Sequence, residues 1–359
     1  MWELRKIELK RNLTFFVQIE EINKKKSYLK SGGNPYDFDS YLYVFTMANI
    51  QKNGDSQSTP IDILKKRQWS KFVSKGIALS LMHYNSKSDL FKSYKNSSYC
   101  SEVLRTDENC KLTSTYCKTK WCLTCGRIRT GRLINAYYFE LESLKNPVFV
   151  TLTLPTVLGE DLPKRIAEME KEWRLIYQIT KKAKYKSSFE CFKGVRKAEC
   201  TIRPNGHYHY HFHFILEGYE QGKWLIDEWL KRFPKANKAA QNIKIVSRKN
   251  NNAYNEIFKY AFKSEVKASN KMNAERYDLV FRALKGKRTI QAFGGIKSIS
   301  EDFSDEDLKN GITLEGRPNE ILKWCMDDWY GNKEGEALVG LAIPEKVKNL
   351  TNYPKDKVK

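Results

Sequence analysis

Four of the five histidines in this 359-residue chain fall in one run that alternates with aromatic residues, His207-Tyr208-His209-Tyr210-His211-Phe212-His213-Phe214. Strict period-two alternation is the signature of a strand with two unlike faces, so one face carries imidazoles and the other carries rings that pack. The residues just before it close a hairpin. Arg203-Pro204-Asn205-Gly206-His207 fits a three-residue loop, with Pro setting a type I turn and Gly in the left-handed position that follows. Counting back from the closing pair Arg203 and His207 places Glu199 opposite His211, on the imidazole face, with about 5 Å between Cβ atoms. His213 lies two residues further along. Two imidazoles and a carboxylate converging from a sheet make a divalent-metal site with open positions, suited to Mg²⁺ or Mn²⁺ held against phosphate oxygens. A register shift of one residue would turn Glu199 to the other face.

A second constellation precedes it. Five of the eight cysteines, Cys100, Cys110, Cys117, Cys122 and Cys125, lie close together and end in C-x4-C-x2-C. That spacing lets turns aim thiolates at one Zn²⁺, and a closed structural site takes four of the five. Cys117, Cys122 and Cys125 form the common set. Cys100 and Cys110 compete for the fourth place, with Cys100 favoured. Lys118, Lys120, Arg127, Arg129 and Arg132 run through the same segment and are expected to touch phosphates; a solvated basic face is the alternative.

Composition says what these sites act on. The net charge is +22, a surplus that calls for a polyanion. Residues 301–359 hold nine basic and thirteen acidic side chains, so the whole excess lies upstream. Hydrophobic residues at 41% exclude wholesale disorder. No run of about 18 apolar residues and no apolar leader at Met1-Trp2-Glu3-Leu4-Arg5-Lys6 point to a cytoplasmic protein outside the membrane.

Hydropathy along the chain reads as a strand at Tyr41–Phe45 between turn signals, one or two helices over Ile61–Met82, a helix over Arg127–Leu144 and a strand at Phe149–Pro155. A helix follows over Glu160–Lys182, burying Trp173, Leu175, Ile176 and Ile179. The hairpin spans Val195–Leu216, a helix Ala253–Lys263 and a strand Arg288–Phe293. This order predicts an α+β fold, an antiparallel sheet with helices on one face. The expected organisation is a basic N-terminal region 1–95, a zinc-binding module 96–130, a central α+β domain 131–300 and an acidic to mixed C-terminal extension 301–359.

Downstream of the hairpin, Glu256-Ile257-Phe258-Lys259-Tyr260-Ala261-Phe262-Lys263 puts a carboxylate, a phenol and an ammonium on one helical stripe. A phenol beside a metal-bound phosphate can serve as a covalent nucleophile. In order along the chain, Cys117 to Cys125, Thr151-Leu152-Thr153, His211-Phe212-His213 and Glu256-x-x-Lys259-Tyr260-x-x-Lys263 resemble the motifs of the rolling-circle replication initiators of small plasmids, in the single-tyrosine group of the HUH endonuclease superfamily. Leu284-Lys285-Gly286-Lys287-Arg288 with Gly294-Gly295 resembles the family's closing strand, and the resemblance covers about residues 100–297. Many relatives carry Pro just before the first motif histidine, where this chain has Tyr210.

The resemblance implies an HUH endonuclease-like fold, with residues 131–300 as the nuclease domain, and nicking of single-stranded or hairpin origin DNA. Tyr260 would attack the scissile phosphate, leaving a 5′-phosphotyrosine and a free 3′-OH for a host polymerase, with a host helicase as a further partner. His211, His213 and Glu199 would hold the catalytic ion, Glu256 would activate water to end the cycle, and Lys259 and Lys263 would contact phosphates. Two rivals stand beside it: a transposase or relaxase with the same first covalent step, and a zinc-containing nucleic-acid-binding regulator without catalysis.

Overall fold

The computed structural model describes residues 60–182, 192–247, 252–258, 262–264, 268, 270–304, 312–331 and 335–348. The expected strand at Tyr41–Phe45 lies outside the described residues, as do Lys259 and Tyr260. Among the described residues the fold is α+β, with two sheets flanked by helices.

The larger sheet is built on the predicted hairpin. Strand β4 (Gly194–Ile202) pairs antiparallel with β5 (Tyr208–Glu217), and Arg203 and His207 close the turn. Gly206 takes φ +82°, the left-handed conformation that the loop requires and that a side chain would strain. His207 falls in the turn, so three histidines and not four stand in the strand. On the far side of β5 lies β3 (Pro147–Thr153), followed by β6 (Asn242–Ile245). The outer edge of β4 is shared. Strand β8 (Ile290–Phe293) pairs antiparallel with its first half, and β7 (Phe262–Ser264) pairs parallel with its last three residues.

The even-numbered residues of β5 enter the main core, as the alternation required. Tyr208, Tyr210, Phe212 and Phe214 are buried with Trp173 of α4 (Leu162–Thr180), Trp229 of α5 (Tyr219–Arg232) and Tyr277 and Phe281 of α7 (Lys271–Leu284). The buried side of α4 is Leu162, Ile166, Met169, Trp173 and Ile176, a stripe at three- and four-residue steps. Leu175 falls off that stripe and is exposed, contrary to expectation. Helix α1 (Pro60–Tyr84) is one continuous helix that sends Trp69, Val73, Ile77 and Leu81 into the same core, and α2 (Phe91–Ser98) packs beside it.

Helices on one face is the expectation that fails. Ile215 and Val195, on the opposite face, are covered by Leu133, Tyr137 and Leu141 of α3 (Leu123–Glu142) and by Ile257 and Phe258 of α6 (Asn252–Phe258). One end of this face therefore closes over an apolar core, and the other end keeps the imidazoles. The helix read as Ala253–Lys263 is also corrected: the described helix ends at Phe258, and Lys263 stands in β7.

The smaller sheet has the order β10-β9-β1-β2. Strands β1 (Val103–Thr106) and β2 (Leu112–Ser114) are extended by β9 (Ile321–Cys325) and β10 (Asp328–Gly331) over a core of Leu104, Leu112, Leu322, Trp324 and Trp329. A short helix α8 (Glu345–Lys348) follows.

Glu301 fastens the segment that leads into Leu123–Glu142 to the start of β8. Its carboxylate accepts bonds from the Thr289 and Ile290 N–H groups at 2.5 and 2.8 Å and from Thr289 Oγ1 at 2.6 Å, and pairs with Lys120 at 3.1 Å. Arg129 donates to the Glu301 and Lys118 carbonyls, Arg132 to those of Ser300 and Asp302, and Arg127 to that of Lys66. The cationic groups of Lys120, Arg127, Arg129 and Arg132, expected to reach phosphates, are thus engaged within the protein.

Candidate metal centres and the surrounding site

On the odd-numbered face of the hairpin, the register places Glu199 opposite His211 and Lys197 opposite His213. His211 Nε2 is 3.4 Å from Glu199 Oε1, and His213 Nε2 is 3.9 Å from Glu199 Oε2. These separations approach the roughly 3 Å between adjacent ligands of a small octahedral ion. All three ligand atoms fall within 4.8 Å of one another, and all three residues are buried.

Hydrogen bonds aim the rings. His211 Nδ1 lies 3.1 Å from the His209 carbonyl, an acceptor, so Nδ1 carries the proton and Nε2 offers its lone pair. His213 Nδ1 lies 3.1 Å from Thr151 Oγ1, and His213 Nε2 is a buried nitrogen with no hydrogen-bond partner among the described residues. Thr151 and Thr153 sit directly across from His213 and His211 on β3. Thr153 bonds His209, and Leu152 between them is core. The Thr-Leu-Thr pattern therefore serves two faces at once. The donor set, the buried carboxylate and the aimed imidazole nitrogens fit a divalent cation.

Burial, with His211 beside it, holds the His213 imidazole well below its ordinary value despite the nearby Glu199 and Glu256 carboxylates, so it is neutral near pH 7 and able to ligate. Burial likewise brings His209 down to about 4. The unfolded chain protonates histidine near pH 6.5, so it takes up protons before the native state does. Stability from these groups is present above pH 6.5 and is lost as pH falls towards 4. Melting curves of metal-free protein should show a Tm that declines from pH 7 to pH 4, and His209→Gln should make the decline shallower; an unchanged slope places the acid sensitivity elsewhere.

Sequence reading missed Lys197. It has no exposed side-chain surface, bonds the Glu199 carboxylate, and donates at 3.2 Å to the main-chain carbonyl of Glu256. The available signal was its place on the site face, two residues before Glu199. Glu256 is half-buried in α6, near enough to act on His213 electrostatically. Lys263 pairs with Thr201 in β7, and its side chain lies outside the described residues.

The cysteines gather as a second centre. Cys100, Cys117, Cys122 and Cys125 bring their sulfurs within 4.8 Å of one another, with Cys100 and Cys117 at 3.5 and 3.6 Å from Cys125. Four sulfurs around one zinc stand roughly 3.8 Å apart, so the cluster fits a tetrahedral ion. Cys110 takes no part: it holds a turn, with φ +60° and its carbonyl accepting from the Leu314 N–H. Burial pushes the Cys122 thiol up, but bonds from Cys100, Cys117, Cys125 and Ser74 outweigh it and bring the group well below its ordinary range. A thiolate is the form a metal takes.

Among the described residues no helix is long and apolar enough to cross a membrane. Residues 110–330 match the model of a family described as replication protein, Rep_1. No curated protein matches the chain, and no solved structure does.

Proposed function

This chain belongs to the replication protein family of rolling-circle plasmid initiators, and from that premise we propose that it is a site-specific single-strand DNA endonuclease of the HUH type. The observation that carries the reading is the convergence of Glu199, His211 and His213 on one sheet face, with α6 tied to the same point through the Lys197 bond to the Glu256 carbonyl. Glu199, His211 and His213 would hold Mg²⁺ or Mn²⁺. Bound there, the ion would neutralise charge on the scissile phosphate of origin DNA.

Tyr260 is the nucleophile in this reading. Its phenolic oxygen forms a bond to phosphorus as the bond from phosphorus to the 3′ oxygen breaks. The phenol proton is given up, and the leaving oxygen takes one to become a 3′-OH. The product is a 5′-phosphotyrosine and a primer end for a host polymerase, with a host helicase opening the duplex. Lys259 and Lys263 are assigned to the DNA phosphates. The cysteine centre is read as structural zinc, and the cytoplasm is the compartment where origin DNA is met. Incubation with end-labelled single-stranded origin DNA and Mn²⁺ tests the proposal: a covalent adduct supports it, and salt-sensitive binding without adduct overturns it in favour of a regulator.

Glu256 enters late. Nicking needs no activated water, whereas hydrolysis of the adduct needs a base. Glu256→Ala is expected to form adduct within about tenfold of the wild-type rate, a barrier change of about 1.4 kcal/mol or less, and to release it far more slowly. Pulse-chase measurement of the adduct reads both steps. A variant that binds DNA and metal but cannot nick would move this carboxylate into the first step.

A further inference from the structure

Every residue of β4 is buried, yet two consecutive positions carry cations. Arg196 faces the main core, 2.9 Å from Glu170 and over the Phe212 ring at 4.5 Å. Lys197 faces the other way, into the candidate metal site, opposite His213. Charged side chains are rarely buried so completely unless they are paired. The Lys197 ammonium has two contacts of different kinds: the Glu199 carboxylate through Oε2, and the Glu256 carbonyl at 3.2 Å. The first leaves Glu199 Oε1 as the oxygen nearer His211, at 3.4 Å. The second reaches from the strand bearing Glu199 to the helix bearing Glu256.

We propose that Lys197 is a positioning residue of this site, holding Glu199 Oε2 so that Oε1 is the oxygen presented to His211, and tying α6 to the same point, so that the metal ligands and Glu256 keep one relative geometry. The proposal rests on the reading of Glu199, His211 and His213 as metal ligands. Charge gives it a distinctive signature. Lys197 cancels the Glu199 charge, so an ion bound here would be held less tightly than by a lone carboxylate. Removing the ammonium therefore favours the ion while releasing the geometry, and the two effects have opposite signs.

The test compares full-length wild type, Lys197→Met, Lys197→Gln and His211→Ala by Mn²⁺ titration calorimetry and by single-turnover adduct formation at saturating Mn²⁺. Lys197→Met is expected to bind Mn²⁺ at least about tenfold more tightly and to form adduct at least about tenfold more slowly. Lys197→Gln keeps a donor without the charge, and is expected to keep the tighter binding with a rate within about threefold of wild type. Weaker Mn²⁺ binding in either variant, or an unchanged rate in Lys197→Met, overturns the proposal. If Lys197→Met does not fold, Lys197→Gln decides by the same two measurements, and a rate loss of about tenfold or more there overturns it. The ligand reading fails separately, if wild type shows no Mn²⁺ site that His211→Ala removes.

Discussion

Tyr260→Phe should abolish the covalent DNA adduct while leaving DNA binding close to that of the wild type. The substitution removes one oxygen, the atom that would bond to phosphorus, and leaves the ring and the cationic surface in place. Loss of a nucleophile in covalent catalysis is worth at least about a thousandfold in rate, so adduct should fall below detection on denaturing gels. Filter binding on the same labelled strand checks that recognition survives. Adduct formation that persists in Tyr260→Phe, or disappears in Tyr254→Phe instead, would reassign the nucleophile.

Cys122→Ser should lose stoichiometric zinc and unfold the region around residues 100–130. Cys122 is fully buried, stands just before the first residue of α3, and has its sulfur 3.3 Å from Ser74 Oγ of α1. Apparent zinc-binding free energies of about 10–16 kcal/mol in small zinc-dependent domains are folding energy. A segment with so short a sheet and so few buried apolar residues of its own depends on that term. Metal analysis and limited proteolysis should report the loss together, and nicking should suffer only through it. One zinc per chain retained in a Cys117, Cys122 and Cys125 triple variant would remove the assignment.

How far the residues alone reach depends on how local the determining physics is. The hairpin register was legible because a Pro-Asn-Gly loop admits one closing pair, and alternation then assigns every side chain to a face. The cysteines were legible as a group for the same local reason, although spacing left two candidates for the fourth position, and only the placing of Cys110 in a turn separates them. What stayed hidden depends on pairing across long separations. The residues after Phe258 have a helical pattern of charges, but the free edge of β4 captures Phe262–Ser264 as a parallel strand, and tertiary pairing overrides local preference there. Lys197 reads in sequence as an ordinary basic residue, because nothing nearby announces that β4 is covered on both faces.

The small sheet has a consequence for how the chain is made. Strands β1 and β2 leave the ribosome early, whereas β9, which pairs with β1 at Val103–Arg105, comes after the whole large sheet. With roughly 200 residues between them and synthesis at about 5–20 residues per second, β1 waits on the order of ten to forty seconds with one edge open. An open edge is a template for foreign strands. A chain ended before Ile321 would keep that edge bare for good and would lack Trp324 and Trp329 from the core beneath it. Closure of the small sheet is therefore expected among the last steps of folding, and a prematurely terminated chain cannot complete it.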